Sequence, residues 1–300
     1  MKEKKKNRLY NKVDKKGEIM AAKKKAKKIK KQENIHKNSN SVRRTVIIEK
    51  EKLSKLNNPV LIEGLPGIGF VGKLATEYMV EELKAKKVAD LYSHHFPPQV
   101  LMEKDGTIKM LKNEIYLYKD SKKKNDVLLL VGDVQTASAE AQYEVINCLL
   151  DYIEDKNVKR IITIGGYSTG RMTEKPKIFA SVSDSRDIVK YKDLGVTFGE
   201  TEGSIIGAAG LLVGLGKLRN IDGICFMGET HGSYIDHRSA QRVLEIVTKL
   251  LGIKIDTSKL IEKAKESEKI IRKIEEETKK AKAGMQPPEP TRPGELTYIR

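Results

Sequence analysis

Two uninterrupted apolar runs near the middle of the chain constrain its fold more than any other feature. Residues 127–131 have the sequence VLLLV and residues 160–164 have RIITI, without alternating apolar and polar side chains. Such strands are buried on both faces, as in a parallel sheet that helices cover on each side. Residues 138–155, between the two runs, have the apolar spacing of a helix. This order of elements predicts a right-handed crossover between parallel strands.

The same alternation extends over residues 45–256. We predict strands at residues 45–49, 59–63, 88–93, 108–110, 114–118, 127–131, 160–164, 177–181 and 223–227. We predict helices at residues 70–84, 138–155, 204–218, 234–251 and 258–282. The segments around 108–118 and 177–191 are expected to form antiparallel pairs. The predicted fold is therefore α/β, with a mixed, mostly parallel central sheet covered by helices on both faces.

The positive charge of the chain is concentrated before this α/β domain. Residues 1–44 contain 18 Lys and Arg against 4 Asp and Glu, whereas residues 45–256 contain 29 of each. A Lys-rich segment with so few apolar residues cannot offset its ordering entropy, so we predict a disordered tail. This tail either contacts nucleic acid by releasing counterions or has no partner. The neutral domain gives no sign of a nucleic-acid surface of its own.

Composition and motifs argue against several classes of protein. Two cysteines, Cys148 and Cys225, indicate neither a disulfide framework nor a zinc site. The longest weakly polar run, residues 204–216, is shorter than the about 20 residues of a membrane span. The five histidines fit no metal-binding spacing, and no nucleophile motif occurs. We predict a cytoplasmic protein with no membrane contact, no metal, no cofactor and no catalytic residue.

The last part of the chain differs from the α/β domain. Residues 257–283 predict a helix whose apolar and small residues alternate at spacings of four and three, so it either packs on its own domain or forms a homo-oligomer. Residues 284–300 contain four prolines, which predict an extended spacer. A chain end does not need large apolar side chains for its own structure, yet several follow this spacer. The residues predicted to bind a partner are Leu296, Tyr298, Ile299 and Arg300, and a basic pocket could also capture the terminal carboxylate.

The most conspicuous motif is EGLPGIGFVGK at residues 63–73, between a predicted strand and a predicted helix. Gly67, Gly69 and Gly72 satisfy the G-x-G-x-x-G pattern of dinucleotide-binding proteins, and the same glycines nearly form a P-loop. Leu74 stands where a P-loop has the Ser or Thr that binds magnesium. The motif is either a phosphate-binding loop or a tight turn in which glycines permit close packing, and we favour the turn.

Three more glycine-containing loops, at residues 165–171, 199–204 and 228–234, follow predicted strands. Ligands of open α/β sheets bind at the carboxyl ends of the strands. A nucleoside- or nucleotide-binding enzyme is therefore the alternative function. Its possible ligand residues are Gly67, Gly69, Gly72, Arg171, Glu200 and His231.

The sequence GLPGIGFVG at residues 64–72 resembles the turn of archaeal members of the proteasome assembly chaperone family. Supporting similarity lies at residues 132–135, 165–167, 203–212 and 228–230, and the resemblance covers about residues 45–253. It implies a fold akin to purine nucleoside phosphorylases and no established catalytic activity. It also implies help in assembling the proteasome core particle without ATP.

The resemblance further implies the partners. These are proteasome α subunits or another member of the family, with self-association. Several members of the family end in a hydrophobic–tyrosine–any tripeptide that enters pockets between α subunits. In this sequence Tyr298 is third from the end, one residue away from that pattern.

Overall fold

A computed structural model describes residues 44–120, 125–199, 202–266 and 269. The predictions for residues 1–43, for most of the helix after residue 266, for the proline-rich spacer and for Glu200 lie outside the described residues. So do the predicted partner-binding residues Leu296, Tyr298, Ile299 and Arg300.

Strands and helices alternate through the described residues. The strands are β1 (Thr45–Glu49), β2 (Val60–Glu63), β3 (Lys86–Ser93), β4 (Val100–Met102), β5 (Ile108–Met110), β6 (Asn113–Tyr118), β7 (Val127–Gly132), β8 (Arg160–Ser168), β9 (Ile178–Val182) and β10 (Asp222–Thr230). The helices are α1 (Val71–Glu82), α2 (Ala139–Asp155), α3 (Ile188–Tyr191), α4 (Ala208–Leu218) and α5 (His237–Leu251), and residues 258–266 form α6.

The main sheet is parallel at its centre and antiparallel at both ends. Its strand order is β1-β3-β6-β7-β2-β8-β10-β9, in which β7, β2, β8 and β10 run parallel. The strands β1, β3 and β6 are antiparallel to their neighbours on one side, and β9 is antiparallel to β10 on the other. The predicted mixed sheet with a parallel core is confirmed.

Helices cover both faces of the parallel core, as predicted. On one face, α2 and α4 pack against side chains such as Leu61 and Leu128. On the other face, α1 and α5 pack against Ile62 and Leu129. Successive residues of a strand point to opposite faces, and all four side chains are fully buried. Burial on both faces explains why these strands are apolar without interruption.

Two helices begin later than the sequence pattern suggests. The predicted helix at 204–218 begins at Ala208, because Gly207 has a φ of 92° that does not continue a helix backwards. The predicted helix at 234–251 begins at His237. There Asp236 is the N-cap, and its Oδ1 accepts a hydrogen bond from Ser239 N at 2.8 Å.

The antiparallel pairings are partly different from those expected. The strand β5 does not pair with β6; it pairs with β4 in a separate two-stranded sheet. The apolar residues of β4 follow Pro97 and Pro98 and were not among the predicted strands. Around residues 177–191, β9 pairs antiparallel with β10, whereas α3 is helical.

The helix α6 packs on the domain that precedes it. Asp256 Oδ1 accepts a hydrogen bond from Ser258 N at 3.0 Å, as expected for a helix cap. Leu260 and Ala264 are the first two of the apolar and small residues that recur at spacings of four and three, and both are buried. This part of the apolar stripe therefore packs on its own domain. Within the described ranges, no helix has the length and apolarity to cross a bilayer.

Candidate functional site

The candidate site is the glycine-rich turn that connects β2 to α1. A short 3₁₀ turn, Ile68–Phe70, leads into the helix. Gly69 has a φ of 62° and Phe70 a φ of 55°, so both lie in the left-handed region. Glycine adopts this region readily, whereas phenylalanine rarely does. Gly69 O accepts a hydrogen bond from Asp236 N at 2.9 Å, which fixes the turn to the loop before α5.

Close packing explains three of the glycines near the turn. A Cβ atom on Gly64 would lie 2.1 Å from Thr76 Oγ1, and one on Gly72 would lie 2.2 Å from Ile164 O. A Cβ atom on Gly166, in β8, would lie 2.2 Å from Ile68 O. Since these distances are far below van der Waals contact, any side chain would push the turn and α1 away from the sheet. Packing alone therefore requires glycine at these three positions, and no bound ligand is needed to explain them.

The side chains that a phosphate site would use have other partners. Lys73 Nζ donates a hydrogen bond to Gly132 O at 2.7 Å and lies 2.9 Å from Glu77 Oε1. Asp133, a conceivable magnesium ligand, accepts a hydrogen bond from Lys112 N at 3.3 Å. These contacts tie α1 and the residues just before β6 to the end of β7. They support the interpretation of the motif as a turn.

Gln135 closes the crevice beside the turn. Its Nε2 donates to Pro66 O at 2.8 Å, and its Oε1 accepts from Ala208 N at 2.9 Å. The amide group thus joins the glycine-rich turn to the first turn of α4. The amide at that helix end, which an anionic ligand would otherwise contact, is occupied by a protein side chain.

Of the other predicted ligand residues, only His231 is shown to lie close to the turn. The His231 ring contacts the Tyr234 ring at a tilt of 43°, with centroids 4.9 Å apart, and His231 O accepts a hydrogen bond from Ser168 Oγ at 3.0 Å. Its loop therefore lies against the end of β8 and close to the turn. Arg171 is exposed, and Glu200 lies outside the described residues.

The cavity beside these loops is small. Its volume is about 20 Å³, and its walls include Met172, Thr230, His231, Asp236 and Ala264. A space of this size holds about one water molecule, not a nucleoside. His231 Nδ1 is buried without a hydrogen-bond partner among the described residues, and one water there would satisfy it. Within the described ranges, no group of three or more His, Cys, Asp and Glu residues is placed to hold a metal ion.

Glu63 was not among the predicted site residues, although it begins the motif. Its side chain is 1% exposed, and Oε1 accepts a hydrogen bond from Leu65 N at 3.0 Å. Burial raises the pKa of Glu63 to about 8, so the carboxyl group is largely protonated at neutral pH. A Glu that closes an apolar run (VLIE) was the available sequence signal.

Comparison with known proteins identifies the family. The sequence matches the model of the PAC2 family over residues 61–275, which includes the glycine-rich turn. The chain belongs to the PAC2 family. This confirms the resemblance to proteasome assembly chaperones noted in the sequence.

Two of the solved structures that resemble this chain come from Pyrococcus furiosus. Pyrococcus furiosus PbaB, described as an archaeal proteasome activator, is 41% identical with a TM-score of 0.74, over 78% of this chain and 100% of PbaB. Pyrococcus furiosus PbaA, described as an archaeal homolog of proteasome-assembly chaperone, is 22% identical with a TM-score of 0.64. That alignment covers 80% of this chain and 94% of PbaA, and at this identity it supports the fold alone.

A further relative by sequence is the Methanocaldococcus jannaschii protein MJ1210. It is 37% identical over 258 residues, which are 85% of this chain and 97% of MJ1210. The similarity extends over nearly the whole length of PbaB and of MJ1210, so it is not confined to a local motif.

Proposed function

We propose that this chain binds the proteasome core particle and recognises its α subunits through the α/β domain and the tail residues Leu296, Tyr298, Ile299 and Arg300. The observation that carries the proposal is the 41% identity to PbaB, a proteasome activator, over the whole of PbaB. A partner of this kind implies a cytoplasmic protein.

The packing of the glycine-rich turn supports binding without ATP. Lys73 is held by Gly132 O and Glu77, and Leu74 replaces the residue that binds magnesium in P-loop proteins. A nucleotide at this turn would have to displace contacts that hold α1 to the sheet. The alternative, a nucleoside- or nucleotide-binding enzyme, has no contact in its favour among the described residues.

Capture of the proteasome tests the proposal. The full-length chain is immobilised and incubated with cell extract, beside a variant that lacks residues 296–300. We expect α subunits with the full chain and at least a tenfold loss with the variant, since the tail supplies buried apolar contacts. The matched pair Tyr298→Ala and Thr297→Ala separates these contacts from tail length, and only Tyr298→Ala should weaken capture. Absence of proteasome subunits from every sample would end the proposal.

A thermal-shift panel tests the alternative independently. A ligand at about 100 times its dissociation constant adds about 2.7 kcal/mol of stability. We expect no shift with nucleosides, phosphate, ATP or NAD. A shift that disappears in Lys73→Met would favour a phosphate site at the turn.

A further inference from the structure

A charged groove lies between α5 and the segment that leads into β9. Its volume is about 540 Å³, within the range of about 300 to 1,000 Å³ that is usual for binding pockets. None of its residues belongs to the glycine-rich turn. The charged side chains in its walls are four cations and two acids: Lys175, Lys177, Arg238, Arg242, Glu174 and Glu245.

The first wall is the polar side of α5. Arg238 and Arg242 are one helical turn apart, so they lie on the same side of the helix. Glu245 Oε2 lies 2.9 Å from Arg242 Nη1, and Glu245 Oε1 accepts a hydrogen bond from Gln241 Nε2 at 2.9 Å. Arg242 is still 45% exposed, and a guanidinium group has five N–H groups. It can therefore contact a ligand and Glu245 at the same time.

The second wall is the segment before β9. Pro176 and Ile178 are buried, whereas Lys175 and Lys177 are exposed. Lys177 N donates to Glu229 Oε2 at 3.0 Å, and Lys177 O accepts a hydrogen bond from Glu229 N at 2.9 Å. The side chain of Lys175 has no acidic partner among the described residues. The backbone of this wall is thus fixed to the end of β10 and presents its lysines outward.

The cations on both walls have the spacing of an extended peptide. Lys175 and Lys177 are two residues apart, at most about 7 Å along the chain. Arg238 and Arg242 are about 6 Å apart along the helix axis. Alternate side chains of an extended peptide repeat about every 6.6 Å. We propose that this groove binds an extended acidic segment of another protein, with carboxylates at alternate positions.

The acids in the walls favour a peptide over a uniformly charged polyanion. Glu174 and Glu245 would repel a continuous phosphate backbone, whereas a peptide can place a neutral or basic residue opposite them. Residues 45–256 contain equal numbers of acidic and basic residues, so the domain as a whole does not attract nucleic acid. The proposal does not depend on whether the chain binds the proteasome.

Peptide binding to the full-length chain tests the groove. Fluorescence anisotropy is measured with a labelled peptide of alternating Glu and Ser, beside a peptide of alternating Gln and Ser. We expect only the Glu peptide to bind, and Lys175→Gln with Arg242→Gln to weaken it about tenfold, because two charge-assisted contacts are lost. The matched control, Lys104→Gln with Lys217→Gln, removes two positive charges at exposed positions outside the groove. It should keep the affinity within about twofold.

The control also accounts for the Lys-rich residues 1–44, which are the same in every variant. No binding of the Glu peptide, or equal affinities of the groove variant and the unmodified chain, would overturn the proposal. So would an equal loss in the control, since net charge would then explain the binding. An oligonucleotide of equal charge should bind all variants alike, and a loss confined to the oligonucleotide in the groove variant would assign the groove to nucleic acid instead.

A reversal of charge separates recognition from a loss of folding. Lys175→Glu with Lys177→Glu changes two exposed side chains, so its thermal unfolding should match that of the unmodified chain. This variant should prefer a peptide of alternating Lys and Ser to the Glu peptide, because the charge of one wall is inverted. A folded variant that keeps the original preference would contradict the proposal.

Discussion

The parallel centre of the sheet and its antiparallel end each bury one carboxyl group, and the two groups have opposite surroundings. Glu63, at the end of β2, and Asp90, in β3, are both 1% exposed. Glu63 accepts one backbone hydrogen bond, from Leu65 N. Asp90 is surrounded by Lys50, Lys87 and Lys112, whose Nζ atoms lie 2.6, 2.8 and 3.0 Å from its oxygens.

The difference in partners sets the ionisation of the two groups. Burial alone would raise both pKa values. It raises that of Glu63 to about 8, whereas hydrogen bonds from the three lysines hold the pKa of Asp90 well below its usual range. Among the described residues, the group that lowers the pKa of Glu63 is the backbone amide of Leu65, not a cation. At the antiparallel end Lys50 is 51% exposed and reaches Asp90 from the surface. Equal burial thus yields a protonated acid in one region and an ion cluster in the other.

The largest expected effect is a pH dependence caused by Glu63. Its pKa rises from 4.5 in the unfolded chain to about 8 in the folded one, so between these values only the unfolded chain releases the proton. Stability should therefore fall by roughly 4 kcal/mol from pH 5 to pH 9, at about 1.36 kcal/mol per unit. Urea denaturation of the unmodified chain and Glu63→Gln should show it as a difference that grows with pH.

Parallel pH profiles for these two proteins would mean that Glu63 is ionised, and the contrast with Asp90 would then be lost. A useful control is Glu77→Gln. It changes a partly exposed acid on α1, so the pH-dependent difference that burial of Glu63 causes should not appear with this variant.

Sequence patterns predicted the parallel centre better than the antiparallel end. Burial on both faces makes β7 and β8 continuously apolar, a signal that each strand carries by itself. The two-stranded sheet of β4 and β5 has no such signal, because each strand is three residues long and mostly exposed. The partners of Asp90 come from separate segments, with Lys50 after β1 and Lys112 before β6. Lys87 is in β3 itself, but only the strand register brings Lys50 and Lys112 to Asp90, so the sequence of β3 alone does not show these two partners.

The glycine-rich turn shows the same limit. The sequence predicted the position of the turn between a strand and a helix, and it indicated that glycines there permit close packing. It did not indicate the atoms that each glycine contacts. Gly72, for example, packs against Ile164 in β8, about a hundred residues later in the chain. The protonation of Glu63 depends on burial, which the sequence VLIE does not specify.

The second prediction concerns the ion cluster. Asp90→Asn removes the one charge that all three lysines share and leaves Glu114 as the acid paired with Lys87 and Lys112, 2.8 Å from the latter. Breaking a buried ion pair by removing one partner costs about 3 to 5 kcal/mol, and the exposure of Lys50 places the loss near about 3. Urea denaturation at pH 7 measures it.

The loss of stability at acid pH offers a further check on the role of Asp90. Its stabilisation is present above the unfolded pKa of 3.8 and is lost as the pH falls below that value. The unmodified chain should therefore lose stability below about pH 4 relative to Asp90→Asn. Equal stability of Asp90→Asn and the unmodified chain at pH 7 would show that the lysines do not need Asp90, and the two regions would differ less than the contacts indicate.

The smallest effect separates packing from ligand binding at the turn beside Glu63. Gly72→Ala should destabilise by about 2 kcal/mol, because its Cβ would lie 2.2 Å from Ile164 O in the sheet. Gly67→Ala should change stability by less than about 1 kcal/mol, since no atom lies within 4 Å of that Cβ and its φ of −158° suits any residue. A dinucleotide-binding loop would also require Gly67, for the tight turn around the ligand, whereas Gly72 would serve helix–strand packing in such a loop as well. Proteasome capture that survives Gly67→Ala, with unchanged thermal unfolding, therefore assigns the motif to packing; a selective loss of capture would assign Gly67 to a contact with the partner.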